Sequence, residues 1–176
     1  MGMKQKVILL NGPSSSGKST LSIVLRKTLL QVNKEEYGVV SIDTFLKMEA
    51  DQVIYEDDVY EISLKLCNAV VDMMKSKKGV IIDHVITSER IFKQMILALH
   101  DYDIYLIHVT CPMSELIRRE KIRENRCLGS ALASYQYLFP RKSYDITVDT
   151  FHTTVEECSL QITETLKKKP EAVSEA

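Results

Sequence analysis

One stretch decides the fold of this chain, and it reads Gly12, Pro13, Ser14, Ser15, Ser16, Gly17, Lys18 and Ser19. Its G-x-x-x-x-G-K-S spacing is typical of a phosphate-binding loop. The two glycines let the backbone curl, so that successive N–H groups point at phosphate oxygens. Lys18 reaches the β- and γ-phosphates of a nucleotide, and the Ser19 hydroxyl can ligate Mg²⁺. We expect this loop and the following Thr20 to bind a nucleoside triphosphate.

The residues on either side of the loop support this interpretation over a chance match. The apolar run Val7–Leu10 predicts a buried strand that enters the loop, and a helical pattern follows over about residues 18–33. The phosphates would then lie at the N-terminus of a helix, where the dipole and the free N–H groups favour anions.

Short apolar runs alternate with longer helical patterns along the rest of the chain. Further strands are predicted at 39–43, 80–83, 104–109 and 144–149, and helices at about 57–77, 88–100, 112–125 and 153–168. Thr153 and Glu156 have the spacing of a capping box for the last helix, whereas residues 126–142 look irregular. Apolar strands separated by helices predict an α/β fold with a five-stranded parallel sheet, covered by helices on both faces.

Length and composition limit the function classes. The 176 residues predict one domain over residues 1–166, followed by a polar, disordered tail over 167–176. A net charge of −1 argues against nucleic-acid or membrane partners, and no apolar run has membrane-spanning length. The four cysteines lack metal or disulfide spacing, and Cys67 and Cys158 fall on apolar helical faces. These features predict a reduced, cytoplasmic protein.

Acidic residues close the predicted strands on the side where parallel sheets bind ligands. Asp43 ends the second strand, where it could accept a proton from a substrate hydroxyl or could cap a turn. Asp83 ends the third strand, where it could hold Mg²⁺ or form a structural hydrogen bond. Asp149 is expected to be structural. His84 follows Asp83 and could contact a substrate, although a buried core histidine is the simpler interpretation.

Residues 118–126 contain five basic side chains. They could form a solvated, salt-bridged helix face, or a lid whose arginines neutralise charge on the transferred phosphoryl group. Arg119, Arg123 and Arg126 have the spacing that places them on one face of a helix.

Taken together, these motifs resemble the chloramphenicol phosphotransferase family over roughly residues 6–165. The resemblance is carried by residues 8–19, Ile42–Asp43, Val80–Asp83, the arginines at 119, 123 and 126, and the segment Tyr144–Thr150. It implies a small P-loop kinase, similar to shikimate and nucleotide kinases. It also implies that ATP and Mg²⁺ are cosubstrates and that the γ-phosphate is transferred to a small-molecule hydroxyl.

The resemblance assigns roles to several residues. It implies that Asp43 is the base, that Lys18 and Ser19 contact phosphate and magnesium, and that Arg123 and Arg126 belong to a lid. The chain departs from the family pattern in two places, because Asp83–His84 replaces a pair of aspartates and Pro13 replaces a small residue. The segments 44–56 and 128–141, which should shape the acceptor pocket, share little with the family.

We therefore expect an ATP-dependent phosphotransferase that acts on an antibiotic like chloramphenicol or on another small-molecule hydroxyl. A nucleoside or nucleotide kinase is the alternative, but residues 44–56 contain Lys47 and no arginine that could hold an acceptor phosphate. A nucleotide-binding regulatory module is a further alternative. It would need neither Asp43 nor arginines over the nucleotide.

Overall fold

The computed structural model describes residues 4–46, 54–123 and 127–173. Its centre is a parallel sheet of β1 (Lys6–Asn11), β2 (Tyr37–Ser41), β3 (Gly79–His84), β4 (Asp103–Thr110) and β5 (Ile146–Asp149). The strands follow the order β2-β3-β1-β4-β5. The predicted five-stranded parallel sheet is thereby confirmed, and β1 lies between β3 and β4, where it is buried on both faces.

The helices are α1 (Lys18–Asn33), α2 (Glu56–Met74), α3 (Glu89–Ala98), α4 (Met113–Ile122), α5 (Ser130–Tyr137) and α6 (Val155–Thr165). The predicted bounds of α1 agree with the structure at both ends. None of the helices in the described ranges is long and apolar enough to cross a membrane.

Alternating strand residues point into two separate core clusters. Leu9 and Ile82 pack with Leu66 of α2 and Met95 of α3 on one face of the sheet. On the other face, the alternate strand residues pack against α1 and α6; this cluster includes Ile8, Ile81, Leu25 and Ile162. Cys67 and Cys158 are buried in these clusters, as predicted. The alternation continues to the end of β3, so Asp83 and His84 face opposite sides of the sheet.

The position predicted for Asp43 was wrong in one respect. Strand β2 ends at Ser41, and Asp43 lies in a one-turn 3₁₀ helix, Ile42–Thr44. The Ser41 hydroxyl accepts a 3.3 Å hydrogen bond from the Asp43 N–H, which turns the chain out of the strand.

Two other predictions differ from the structure. The segment 126–142, which looks irregular in sequence, contains α5. Its start is held by Glu120, whose buried carboxylate accepts hydrogen bonds from the backbone N–H groups of Gly129 (3.0 Å) and Ala131 (2.7 Å). The capping box of α6 is formed by Thr154 and Glu157, one residue later than predicted.

The polar segment for which the composition predicts disorder is described as far as residue 173. Asp145 accepts hydrogen bonds from the backbone N–H groups of Glu171 (2.6 Å) and Ala172 (3.0 Å). Tyr105 also donates to the carbonyl of Lys168. The segment 167–173 therefore lies against the β4–β5 side of the sheet and differs from the expected free tail, whereas residues 174–176 lie outside the described residues.

Candidate active site

The predicted phosphate loop joins β1 to α1 and lies close against the sheet. A Cβ atom on Gly12 would approach the Val109 carbonyl oxygen to 2.1 Å, so this position needs glycine. Gly17 has φ of 91°, in the left-handed region that glycine adopts without strain. Pro13, Ser14, Ser15 and Ser16 are buried between these two turns, and Ser19 and Thr20 lie exposed in the first turn of α1.

Lys18 folds back over the loop. Its Nζ donates hydrogen bonds to the Pro13 carbonyl (2.8 Å) and to Ser16 Oγ (3.3 Å). The side chain is 5% exposed, so the ammonium group is held inside the curve of the loop, where phosphate oxygens would bind.

Asp83 meets the start of α1 through Ser19. The Ser19 hydroxyl donates a 2.6 Å hydrogen bond to Asp83 Oδ2, and the Ser41 hydroxyl approaches the same oxygen at 3.4 Å. Ser41 thus contacts both Asp83 and the backbone of Asp43. We did not identify Ser41 from the sequence, because its role depends on β2 and β3 lying side by side.

The Ser19–Asp83 pair has the donor chemistry that Mg²⁺ prefers, because both groups supply oxygen. Within the described ranges, no cluster of three or more His, Cys, Asp or Glu side chains could hold a metal ion. A cation at this pair would therefore need phosphate oxygens or water to complete its coordination, which is typical of Mg²⁺ at nucleotide sites.

Asp43 lies where two cavities adjoin. The first is narrow and is lined by the loop together with Lys18, Ser19, Asp83 and Arg123. The second has a volume of about 360 Å³ and is also lined by Asp43. The exposed Asp43 carboxylate thus borders both the predicted phosphate site and a space large enough for part of a small molecule.

The second cavity has a mixed lining with little charge. Ile42, Leu46, Val59 and Val85 supply apolar surface. Its polar groups include the side chains of Ser14, Thr87, Ser130, Ser134, Cys127 and His84. Among the described lining residues, Asp43 is the one with a charged side chain. We therefore name this space, between β3, α2 and α5, the acceptor cavity.

His84 is completely buried at the wall of the acceptor cavity. Its Nε2 lies 2.9 Å from the Ser63 hydroxyl of α2. Burial lowers the pKa of His84 to about 4, the nearby charge of Lys18 lowers it further, and the Val85 backbone and Asp43 oppose the shift. The ring is therefore neutral near pH 7.

Arg119 joins α4 to the phosphate loop. Its guanidinium donates to Glu115 Oε1 (2.8 Å), to the Thr150 hydroxyl (3.1 Å) and to the Thr150 carbonyl (3.1 Å). The Thr150 hydroxyl in turn donates a 2.7 Å hydrogen bond to the Ser16 carbonyl. Hydrogen bonds from Arg118 and Arg119 lower the pKa of Glu115 to about 2. Arg119 is thus fixed beside Gly17 by a connected polar network.

The predicted arginine face is not one helical face. Helix α4 ends at Ile122, and Arg123 follows in extended conformation, with its side chain at the phosphate cavity. Arg119 and Arg123 therefore reach the loop from different local structures. Arg126 lies outside the described residues.

The family model for chloramphenicol phosphotransferase-like proteins matches residues 5–167. The chain belongs to this family. It is accordingly an ATP-dependent phosphotransferase of the P-loop kinase fold that acts on a small molecule, which confirms the resemblance seen in the sequence.

The chain is also similar to kinases that are named for other substrates. An adenylyl-sulfate kinase of Staphylococcus epidermidis (strain ATCC 12228 / FDA PCI 1200) is 25% identical over 174 residues, which cover 95% of this chain and 86% of that protein. The structure of the Mycobacterium tuberculosis APS kinase in complex with AMPPNP and APS matches with a TM-score of 0.70 and 17% identity, over 95% of this chain and 100% of the other. A gluconokinase from Sinorhizobium meliloti 1021 has a TM-score of 0.69 and 15% identity, over 94% of each chain. These solved structures share the fold.

The structure of this chloramphenicol phosphotransferase-like protein brings together most of the residues singled out in the sequence. Lys18, Ser19, Asp43, Asp83 and Arg123 line one cavity. Asp149 accepts hydrogen bonds from the N–H groups of Phe151 and His152, which agrees with the structural role expected for it.

Sequence reasoning missed a further contact within the site. The Ser14 N–H of the loop donates a 2.9 Å hydrogen bond to the Ser134 hydroxyl of α5. No signal in the sequence links these two serines, which are 120 positions apart.

Proposed function

We propose that this protein transfers the γ-phosphate of ATP to a hydroxyl group of an uncharged small molecule, and that a chloramphenicol-like antibiotic is the first acceptor to test. The observation that carries this proposal is the position of Asp43, which lines both the phosphate cavity and the acceptor cavity. A carboxylate at such a junction can reach a hydroxyl that is directed at the γ-phosphate.

In the proposed reaction, Asp43 accepts the proton of the acceptor hydroxyl as its oxygen forms a bond to the γ-phosphorus. The bond from that phosphorus to the β,γ-bridging oxygen breaks, and ADP leaves with the electron pair. Lys18 and the loop N–H groups hold the phosphates throughout the transfer, and Arg123 neutralises charge on the equatorial oxygens. Arg126 is proposed for the same lid on the strength of its sequence position alone.

Ser19 and Asp83 are the residues that would hold Mg²⁺ in this proposal. When bound, the ion would neutralise charge on the β- and γ-phosphate oxygens. The 2.6 Å contact between the two side chains places both oxygens within reach of one cation. Dependence on magnesium and a cytoplasmic location are parts of this proposal.

Adenylyl sulfate is the second candidate acceptor, because a relative that is 25% identical and matched over 86% of its length is an adenylyl-sulfate kinase. A nucleoside monophosphate would be a similar, anionic acceptor. Both would bring negative charge into a cavity whose described lining includes the Asp43 carboxylate and no lysine or arginine. Because the described lining offers no cationic group to pair with such an acceptor, we favour an uncharged acceptor over either anionic one and over a regulatory module without an acceptor.

The experiment is an acceptor panel with ATP and Mg²⁺, in which phosphorylated products are identified by mass spectrometry. The panel contains chloramphenicol, uncharged sugars and polyols, gluconate, adenylyl sulfate and nucleoside monophosphates. Phosphorylation of chloramphenicol or another uncharged member supports the proposal, and the Asp43→Asn variant serves as the catalytic control. Preferential phosphorylation of adenylyl sulfate or a nucleotide would replace it with the anionic alternative, and absence of any product would reject it.

A further inference from the structure

Helix α5 belongs to the wall of the acceptor cavity and is also bonded to the phosphate loop. Ser130 and Ser134 of this helix line the cavity. The Ser134 hydroxyl accepts the 2.9 Å hydrogen bond from the Ser14 N–H, and it donates to the Ser130 carbonyl at 2.6 Å. Ser134 is 8% exposed, so this contact is largely shielded from water. The third residue of the phosphate loop is therefore held by a side chain of the cavity wall.

A second connection runs from the end of α5 to the start of the loop through Asn11. This side chain is 0% exposed at the end of β1. Its Nδ2 donates to the Phe139 carbonyl (2.9 Å), and its Oδ1 accepts from the Ile86 N–H (2.9 Å). The Phe139 N–H donates in turn to the Ile86 carbonyl (2.9 Å). The segment after β3, which supplies Val85 and Thr87 to the cavity, is thus bonded both to the chain after α5 and to the entrance of the phosphate loop.

Helix α5 makes little contact with the main core. Its buried Ala131 belongs to a small cluster with Cys111 and Leu116, separate from the two clusters that cover the faces of the sheet. On its outer side, Leu132 is 45% exposed and Tyr137 is 67% exposed. Elements with few buried apolar contacts open locally at a low cost in free energy. The position of α5 therefore depends strongly on its hydrogen bonds and on any ligand that packs against it.

We propose that Ser134 is a positioning residue that couples the two substrate sites, so that ATP and the acceptor each bind more tightly when the other is present. A nucleotide that orders the loop fixes Ser14 and, through it, Ser134 and the cavity wall. An acceptor that packs against Ser130 and Ser134 orders the same helix. The second ligand then binds to a site that is already ordered, and the coupling is equal in both directions. This inference rests on the proposed function for its use of the cavity as the acceptor site.

The first test uses the nucleotide alone and needs no acceptor. Amide hydrogen exchange of the full chain is followed by mass spectrometry with Mg²⁺, in the presence and absence of the ATP analogue AMPPNP. We expect AMPPNP to slow exchange over residues 130–139 by about fivefold or more in the unmodified protein, and to leave it unchanged there in Ser134→Ala. The loop itself should be protected in both proteins. Equal slowing over residues 130–139 in the two proteins, or none in the unmodified protein, would overturn the proposal.

The second test measures the coupling by calorimetry. The Kd of AMPPNP is determined without an acceptor and with a saturating acceptor, which is chloramphenicol or the uncharged panel member that is phosphorylated best. We expect the acceptor to lower this Kd by about fivefold or more in the unmodified protein and to leave it unchanged in Ser134→Ala. Ser134→Thr keeps the hydroxyl and should recover the effect. A Kd that does not respond to the acceptor in the unmodified protein, or that responds equally in Ser134→Ala, would contradict the role of Ser134.

Ser130→Ala is the matched control, because its hydroxyl lies on the same cavity wall and donates to the Cys127 carbonyl rather than contacting the loop. It should keep the effect of the acceptor on the Kd of AMPPNP, and loss of that effect would assign the coupling to the helix as a whole and not to Ser134. If Ser134→Ala does not fold, Ser134→Thr is compared with Ser134→Val, which has the same shape without the hydroxyl. If no panel member is phosphorylated, the proposed function fails, and the exchange experiment with AMPPNP alone still decides the role of Ser134.

Discussion

The Ser19 hydroxyl donates a 2.6 Å hydrogen bond to Asp83 Oδ2, which joins the first turn of α1 to the end of β3. Asp83 is 4% exposed, and hydrogen bonds from Ser19 and Ser41 compensate the burial of its carboxylate. This arrangement keeps two oxygen groups together directly beside the phosphate loop.

We predict that Asp83→Asn raises the Mg²⁺ concentration needed for half-maximal activity by about tenfold to a hundredfold, the range seen when a group supporting a metal site is removed. The reason is that the amide keeps the shape of the side chain and loses its negative charge. The measurement is a Mg²⁺ titration of ADP formation at saturating ATP. Asp103→Asn is the matched control, because Asp103 lies at the start of β4, at the opposite end of the strands from the phosphate loop. This variant should leave the titration unchanged. Identical titration curves for Asp83→Asn and the unmodified protein would remove Asp83 from the metal site.

The second prediction concerns Asp43 as the general base. Asp43→Asn should lower kcat by about 10² to 10⁴, because the amide cannot accept the proton of the acceptor hydroxyl. ATP affinity, measured by calorimetry, should be retained, since Asp43 lies on an exposed turn outside the phosphate loop. Asp101→Asn is the control, because it alters an exposed aspartate in the turn before β4. Near-normal turnover in Asp43→Asn would mean that another group accepts the proton.

Much of the sheet could be predicted because local patterns determine it. The apolar runs at 7–10 and 80–82 are too short for helices and are buried on both faces of the sheet, which leaves parallel strands as the consistent solution. The loop was found for a similar reason, since the positions of Gly12 and Gly17 are fixed by a close backbone approach and a positive φ.

The parts that could not be predicted depend on contacts between distant residues. Helix α5 has little amphipathic pattern of its own, and its start is stabilised by Glu120 from the preceding helix. Strand β2 ends at Ser41, two residues earlier than the apolar run suggests, because the Ser41 hydroxyl accepts a hydrogen bond from the Asp43 N–H. The contact between His84 and Ser63 likewise joins residues 21 positions apart, and no spacing rule points to that pair.

A third prediction tests the link between α4 and the loop. Thr150→Val removes the hydroxyl that donates to the Ser16 carbonyl and accepts from Arg119. We expect the free energy of unfolding to fall by about 1–3 kcal/mol, the usual effect of leaving a buried polar group without its partner. ATP affinity should fall as well, because Arg119 and the Ser16 carbonyl each lose their hydrogen bond with the Thr150 hydroxyl.

Denaturant unfolding and ATP calorimetry measure these two effects. Thr147→Val is the matched control, since the hydroxyl of this exposed threonine in β5 makes a long, 3.4 Å contact with His108. Equal stability of the two valine variants would show that the Thr150 hydroxyl does not secure the loop.

The last prediction is a pH dependence of stability from Glu115. In the folded chain, hydrogen bonds from Arg118 and Arg119 lower the pKa of this carboxyl to about 2 from its ordinary 4.5. The unfolded chain therefore binds more protons at this group than the folded chain does between those values. The stabilisation from Glu115 is then complete above about pH 4.5 and is lost progressively as the pH falls toward 2.

Glu115→Gln should consequently be less stable than the unmodified protein at pH 7, and the difference between the two should shrink as the pH is lowered from 5 toward 2. Thermal unfolding of both proteins over this range is the measurement. Glu164→Gln is the control, because its ion pair with Lys167 is exposed and should contribute little at any pH. A difference between Glu115→Gln and the unmodified protein that stays constant with pH would mean that the arginine contacts do not depend on the charge of Glu115. Arg119 would then be held beside the loop by Thr150 rather than by its ion pair with α4.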